Sequence, residues 1–165
     1  MRAFMRGQRS GRTFTRALAS ALVAVALVAG GCGSNDSFKS DFQKSDDQLN
    51  QLGKDLALAV RTAGKSNDTA LSAKFDSFST RARKLASDFG GLRPPSKVKA
   101  NVTKLRSALT LIADDMKAVA TAVRTHNAKA ARSATRKLFV DAGGVRTSAS
   151  AIRDAEGIKR SPGSG

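Results

Sequence analysis

The feature that most constrains the fold is a series of apolar residues at alternating steps of three and four along residues 98–123. Its members are Val98, Val102, Leu105, Leu109, Ile112, Met116, Val119 and Val123. In an α-helix such positions line one face, because the helix turns once in about 3.6 residues. The segment is therefore predicted to be a long amphipathic helix whose apolar face packs against other helices.

The same spacing occurs in three further segments of the chain. The first begins near Ser37 and has Ser45 in place of one apolar residue; its members are Phe38, Phe42, Leu49, Leu52, Leu56, Ala59 and Ala63. The second contains Leu71, Phe75, Phe78, Ala82, Leu85 and Phe89. The last is weaker, begins near Asn127 and contains Ala131, Thr135, Leu138, Ala142, Val145, Ala149 and Ile152. Each segment is predicted to form a helix.

The residues between these segments are helix breakers and helix caps. Glycine favours helix ends, proline cannot continue a helix, and Ser or Asn side chains accept hydrogen bonds from the free N–H groups of a first turn. The predicted stops are Gly64, Gly90, Gly91, Pro94 and Pro95, and the predicted caps are Ser66 or Asn67 and then Ser96.

Four helices of roughly 20 to 30 residues joined by short turns favour antiparallel neighbours. We therefore expect an all-α, up-down-up-down four-helix bundle over residues 37–157, followed by a disordered tail at 158–165. The spacing of three and four persists over several heptads, which favours coiled-coil-like packing at shallow crossing angles. A long coiled-coil hairpin or a coiled-coil dimer is the main alternative.

The N-terminal region has the layout of a secretory signal. Five arginines and no acidic residue precede an uncharged, largely apolar stretch at residues 17–29, and small residues follow it. These 13 residues are fewer than the roughly 20 that a membrane-spanning helix needs. We therefore expect the segment to direct export and to be removed.

The run Leu27-Val28-Ala29-Gly30-Gly31-Cys32, which ends at the only cysteine, resembles the lipobox of bacterial lipoproteins, with Ala29 where Leu or Val is usual. The resemblance implies a signal peptide at 1–31, cleavage between Gly31 and Cys32, and acyl chains such as palmitate on Cys32. Residues 32–36 would be a lipidated tether, and the protein would be anchored at the extracytoplasmic face of the cell membrane. A signal peptide without lipidation, or a free buried thiol, is the alternative. With its single helical domain, the chain looks like the small helical lipoproteins of high-GC bacteria.

The chain is strongly basic, with 29 Lys and Arg against 13 Asp and Glu. Loss of residues 1–31 removes five arginines and no acid, which leaves a charge of +11. Nucleic acid would be the expected partner in the cytoplasm, but export makes it an unexpected one and leaves anionic lipid headgroups, wall polymers or an unknown protein. The candidate lipid contacts, at the membrane side of the bundle, are Arg93, Lys97, Lys99, Lys159 and Arg160. A uniformly basic surface is the alternative, because the opposite end would carry Arg61, Lys65, Arg124 and Lys129.

The sequence contains little that predicts catalysis, a cofactor or a metal. With Cys32 alkylated, His126 is the only side chain that titrates near neutral pH, and it has no acidic neighbour in sequence. The single glutamate, Glu156, rules out a di-metal carboxylate site. Two aspartate pairs, at 46–47 and 114–115, lie opposite the apolar positions and are predicted to be solvated. We therefore expect no catalytic residue and no enzyme activity.

Two classes of function remain open. The first is a non-enzymatic binding or structural module of the cell envelope. The second is a ligand-binding or sensory bundle with a site between the third and fourth helices, near Gly143 and Gly144. These two glycines predict either a kink or tight contact point, or else a hinge or a small cavity.

Overall fold

The computed structural model describes residues 33–159, and within them the chain forms four α-helices and no strand. The helices are α1 (Gly33–Thr62), α2 (Asp68–Gly91), α3 (Ser96–Arg124) and α4 (Ala128–Glu156), and a 3-10 turn (Ala63–Lys65) follows α1. The all-helical fold class is confirmed. Residues 33–36, which we expected to be a tether, are helical and belong to α1.

Side-chain caps begin two of the helices. Asn67 Oδ1 accepts a hydrogen bond from the backbone N–H of Ala70 at 2.7 Å, and Asn127 Oδ1 accepts one from Ala130 at 2.9 Å. The predicted cap at Ser96 is wrong. Ser96 is the first helical residue of α3, and Pro95 precedes it without a side-chain hydrogen bond to the helix.

The predicted apolar faces form one core. Every predicted position of α2 and α3 is buried, while α1 and α4 have some half-buried positions, such as Leu49, Leu56 and Ala142. The ring centroids of Phe42 and Phe89 lie 5.6 Å apart, which joins the start of α1 to the end of α2. Apolar burial is therefore the main source of stability in this chain.

Contacts between helices show which ends lie together. Ser79 Oγ in α2 donates to Ala113 O in α3 at 2.7 Å, and Lys97 Nζ at the start of α3 donates to Ala155 O at the end of α4 at 2.8 Å. The middles of α2 and α3 are therefore in contact, and the start of α3 lies beside the end of α4. The start of α1, residues 92–95 and the end of α4 lie together, which we call the Gly33 end. The other two connections form the opposite, or His126, end.

Two aspartates predicted to be solvated are buried instead. Asp46 receives two hydrogen bonds from Arg153 Nη1 at 2.6 and 2.8 Å, and Asp115 receives one from Lys137 Nζ at 2.8 Å. The prediction assumed one apolar stripe per helix. A helix that packs against two neighbours buries a wider face, and that face includes residues beside the stripe.

Candidate functional site

Several predicted site residues, namely Gly31, Cys32 and Arg160, lie outside the described residues. The other four candidate lipid contacts are Arg93, Lys97, Lys99 and Lys159. All four are exposed and lie at the Gly33 end, either in the connection between α2 and α3, in the first turn of α3, or just after α4. The structure therefore brings these four cations to one end of the bundle.

Lys97 has a structural partner that the sequence pattern does not predict. Its Nζ lies 3.4 Å from Glu156 Oε2, and the Glu156 side chain is fully buried. Within residues 33–159 neither carboxylate oxygen of Glu156 accepts a hydrogen bond, so the nearby ammonium group is its main compensation. Lys97 also lies beside the last carbonyl groups of α4, where a cation is favoured by the helix dipole. Lys97 therefore links the start of α3 to the end of α4.

Charge alone does not distinguish the two ends of the bundle. Asp36 and Asp154 are exposed at the Gly33 end and offset part of its positive charge. At the other end Arg124 forms an ion pair with Asp76, which removes one of the cations counted there. The other three cations that we counted there, Arg61, Lys65 and Lys129, are exposed.

Gly143 and Gly144 neither interrupt α4 nor mark an unusually close approach of α4 to another helix. Helix α4 continues through both residues. A Cβ atom at Gly143 would meet nothing within 4 Å, and one at Gly144 would meet only Ala108 Cβ at 3.6 Å, an ordinary van der Waals distance. The tight contact point that we considered at this position is therefore absent.

A small pocket lies near these glycines but on the α1 side of α4. Its volume is about 230 Å³, and its walls come from α1, α3 and α4, including Leu52, Ile112, Met116 and Val145. This volume is below the roughly 300–1,000 Å³ that is usual for small-molecule sites. The walls are mainly apolar, with the Asp46 and Arg153 pair among the lining residues.

An ion cluster ties α3 to α4 close to the same glycines. Lys137 Nζ donates to Asp115 Oδ1 at 2.8 Å and to Asp141 Oδ2 at 2.7 Å. Burial raises the pKa of Asp115, whereas the hydrogen bond from Lys137 lowers the pKa of Asp141. The same two carboxylates raise the pKa of Lys137, so this lysine stays protonated at neutral pH. The cluster joins two helices and has no nucleophile in it.

His126 has an acidic neighbour in the structure, Asp68, although the two residues are 58 positions apart in the sequence. Its Nδ1 lies 2.6 Å from Asp68 Oδ2, and both side chains are more than half exposed. His126 adopts a left-handed conformation with φ of 54° in the turn between α3 and α4. Within residues 33–159 no hydroxyl group is hydrogen-bonded to this imidazole, which is the contact that a serine nucleophile with His126 as its base would make.

Two further features bear on the class of site. Within residues 33–159, no three or more His, Cys, Asp or Glu side chains lie close enough together to hold a metal ion. None of the helices in this part of the chain is long and apolar enough to cross a membrane.

No protein-family model, curated protein or solved structure matches this chain. The functional argument therefore depends on the residues and distances given above.

Proposed function

We propose that this protein is a lipid-anchored, extracytoplasmic module of the cell envelope that binds or supports a partner without catalysis. The proposal is carried by the lipobox-like run that ends at Cys32 together with the helical conformation of Gly33, the residue that follows it in the sequence. An acyl chain on Cys32 would then be attached directly to the first helix. With so little chain between lipid and helix, the Gly33 end would face the membrane.

The finer architecture that we propose is an up-down-up-down bundle with coiled-coil-like packing. The contacts between consecutive helices support opposite directions, and the spacing of three and four residues favours crossing angles of about 20°. Such a bundle would hold the His126 end about one helix length from the membrane.

The exposed cations of the Gly33 end would act as an auxiliary contact with anionic headgroups. Arg93, Lys99 and Lys159 have no ion-pair partner in the described residues, so their charge is available to the surface. Attraction of this kind falls off within a Debye length, about 8 Å at physiological salt, and therefore needs the closeness that the lipid anchor would give. Anionic wall polymers or an unknown protein would bind the outward faces of the bundle.

The proposed anchor is tested by cell fractionation and intact-mass analysis of wild type and Cys32→Ala. We expect a membrane-bound wild-type chain whose mass corresponds to an acylated N-terminus at Cys32, and loss of that species in the variant. An unacylated soluble chain that keeps residues 1–31 would overturn the proposal, and its basic surface would then favour nucleic acid as partner.

The proposed orientation is tested with an environment-sensitive dye on a second cysteine. Ser96→Cys would carry the dye at the Gly33 end, and Ala128→Cys would carry it at the other end as the matched control. On anionic vesicles we expect a blue shift at position 96 only, which is lost in R93E/K99E/K159E and kept in R61E/K65E/K129E. Equal shifts at both positions, or a shift at position 96 that persists in R93E/K99E/K159E, would contradict the proposed orientation.

The alternative of a ligand or sensory site between the third and fourth helices has less support. A functional pocket there would be lined by Ser, Thr or Arg side chains. The nearby pocket is small, and its wall is mainly apolar. Its two arginines are Arg146 and Arg153, and Arg153 is already paired with Asp46, which favours the binding or structural module.

A further inference from the structure

A second pocket lies at the His126 end, where all four helices contribute to its walls. Its volume is about 560 Å³, within the roughly 300–1,000 Å³ that is usual for small-molecule sites. The apolar wall contains Val60 of α1, Phe75 of α2, Val123 of α3 and Ala131 of α4. It is therefore a place where an apolar group can be covered from several sides.

The pocket exists because small side chains face each other across α1 and α4. Its lining includes Val60 on α1, Ala63 in the 3-10 turn that follows α1, and Ala131 and Thr135 on α4, and all four are only half-buried. Elsewhere in the core, Phe and Leu side chains fill the space between helices. Apolar surface left partly in water favours an apolar ligand, at roughly 25 cal/mol for each Å² that it covers.

Two arginines of α4 line the same pocket. Arg132 and Arg136 are four residues apart and therefore lie on one face of the helix, and both are exposed. Within residues 33–159 neither forms a salt bridge, whereas the nearby Arg124 is paired with Asp76. An apolar wall beside two uncompensated guanidinium groups is complementary to a molecule with an apolar chain and an anionic head.

We infer that this pocket binds a single-chain anionic amphiphile, with its chain against the apolar wall and its carboxylate or phosphate head paired with Arg132 and Arg136. Guanidinium groups bind both kinds of head through paired, charge-assisted hydrogen bonds. Thr135, between the two arginines in sequence, adds a hydroxyl at the same place. The site selects against neutral heads, which leave both guanidinium groups uncompensated. The inference is independent of the lipid anchor, because the pocket lies at the end of the bundle away from Gly33.

The test measures displacement of dansyl-undecanoate from the full chain held in phosphatidylcholine nanodiscs. The anionic competitors are dodecanoate and lauroyl-lysophosphatidate, and the neutral ones are dodecanol and lauroyl-lysophosphatidylcholine. We expect both anionic competitors to displace the dye at lower concentration than the neutral ones. If only one of them does so, the site is still supported and the headgroup is assigned.

Two charge variants then distinguish binding in the pocket from nonspecific electrostatic attraction of anionic competitors to the basic bundle. We expect R132Q/R136Q to weaken binding of the anionic competitors by about tenfold or more, since a hydrogen bond to a charged group contributes about 1.5–3 kcal/mol. The matched control K74Q/K104Q removes the same charge from exposed positions elsewhere on the bundle and should change affinity by less than about twofold. All variants have the same N-terminal region and therefore the same attachment to the nanodisc.

A filled pocket gives an independent check. Ala131→Leu adds apolar volume to the wall, and we expect it to abolish binding while the helical circular dichroism is unchanged. Equal affinity for anionic and neutral competitors, or an R132Q/R136Q variant that binds like wild type, would overturn the inference whether or not Ala131→Leu folds. Neither result would bear on acylation of Cys32.

Discussion

At the scale of single residues, the buried ion pair between Arg153 and Asp46 is the interaction whose loss should cost the most stability. Its two side chains are only 9% and 5% exposed, and the shortest contact is 2.6 Å. We expect Arg153→Met to lower the free energy of unfolding by about 3–5 kcal/mol, because Asp46 stays buried without its guanidinium partner. Urea unfolding of both proteins at neutral pH measures this difference.

A double variant is the control for this prediction. In D46L/R153M neither charge of this pair is left buried, so we expect most of the stability lost in the single variant to return. A single-variant cost below about 1 kcal/mol, the level of a surface pair, would contradict the burial described here.

Asp76 gives a second residue-level prediction, on the pH dependence of stability. The hydrogen bond from Lys117, with Arg124 beside it, lowers the pKa of Asp76 below its ordinary 3.8. Since the folded state favours the ionised form, this carboxylate stabilises the fold above pH 3.8, and the contribution is lost as the pH falls through the folded-state pKa.

The measurement is urea unfolding of wild type and Asp76→Asn across the acid range. We expect wild type to be the more stable protein at neutral pH and the gap to close below pH 3.8. A gap of constant size down to the lowest pH would show that Asp76 acts through something other than its charge.

These residue-level contacts are the part of the structure that the sequence predicts least. Arg153 and Asp46 are 107 positions apart, and His126 and Asp68 are 58 apart. Periodicity assigns residues to the faces of a helix. It does not fix the rotation and register of two helices against each other, which decide which charged residues meet.

At the scale of elements, the two adjacent glycines in α4 weaken a helix without serving its packing. Space for a methyl group exists at both positions. We therefore expect Gly143→Ala and Gly144→Ala each to raise the free energy of unfolding by about 0.5–1 kcal/mol, because alanine has the higher helix propensity.

Gly157, which ends α4, is the matched control. Its φ is 64°, a left-handed conformation that alanine adopts at a cost of roughly 1–2 kcal/mol. Gly157→Ala should therefore lower the midpoint of thermal unfolding, whereas the two substitutions inside the helix should raise it. Destabilisation by Gly144→Ala would mean that α4 moves closer to α3 than the distance to Ala108 indicates.

Helix positions are largely predictable from this sequence because their signals are local. Asn67 caps α2 three residues from the N–H group that it binds, and the apolar spacing of α3 lies within one segment. Ser96 was predicted incorrectly because Pro95 takes the capping position and sets the chain direction there. A serine next to a helix start was not sufficient evidence of a cap.

At the scale of the whole molecule, the four helices are not equally close to one another. The backbone of α3 comes close to those of α2 and α4 at many positions, whereas that of α1 comes close to a neighbouring helix at far fewer. Large side chains such as Phe38, Phe42 and Leu52 connect α1 to the core, and both pockets described above lie beside it. A sequence pattern does not reveal such gaps, since they depend on the distances between helices.

This difference predicts unequal local stability. We expect the amide groups of α1 to exchange with deuterium faster than those of α3 under native conditions, because fewer close contacts must open. Hydrogen exchange followed by mass spectrometry of peptides from each helix gives the comparison. Equal protection in α1 and α3 would show that the bundle opens only as one unit.

Because α1 starts and α4 finishes at the same end of the bundle, the chain is suited to circular permutation. A short peptide that joins residues 33 and 159 would allow new ends at residues 125–127, in a turn that interrupts no helix. A reporter domain fused after Lys159 would be positioned at the Gly33 end. The same domain fused to the permuted chain would be positioned beside Arg132 and Arg136.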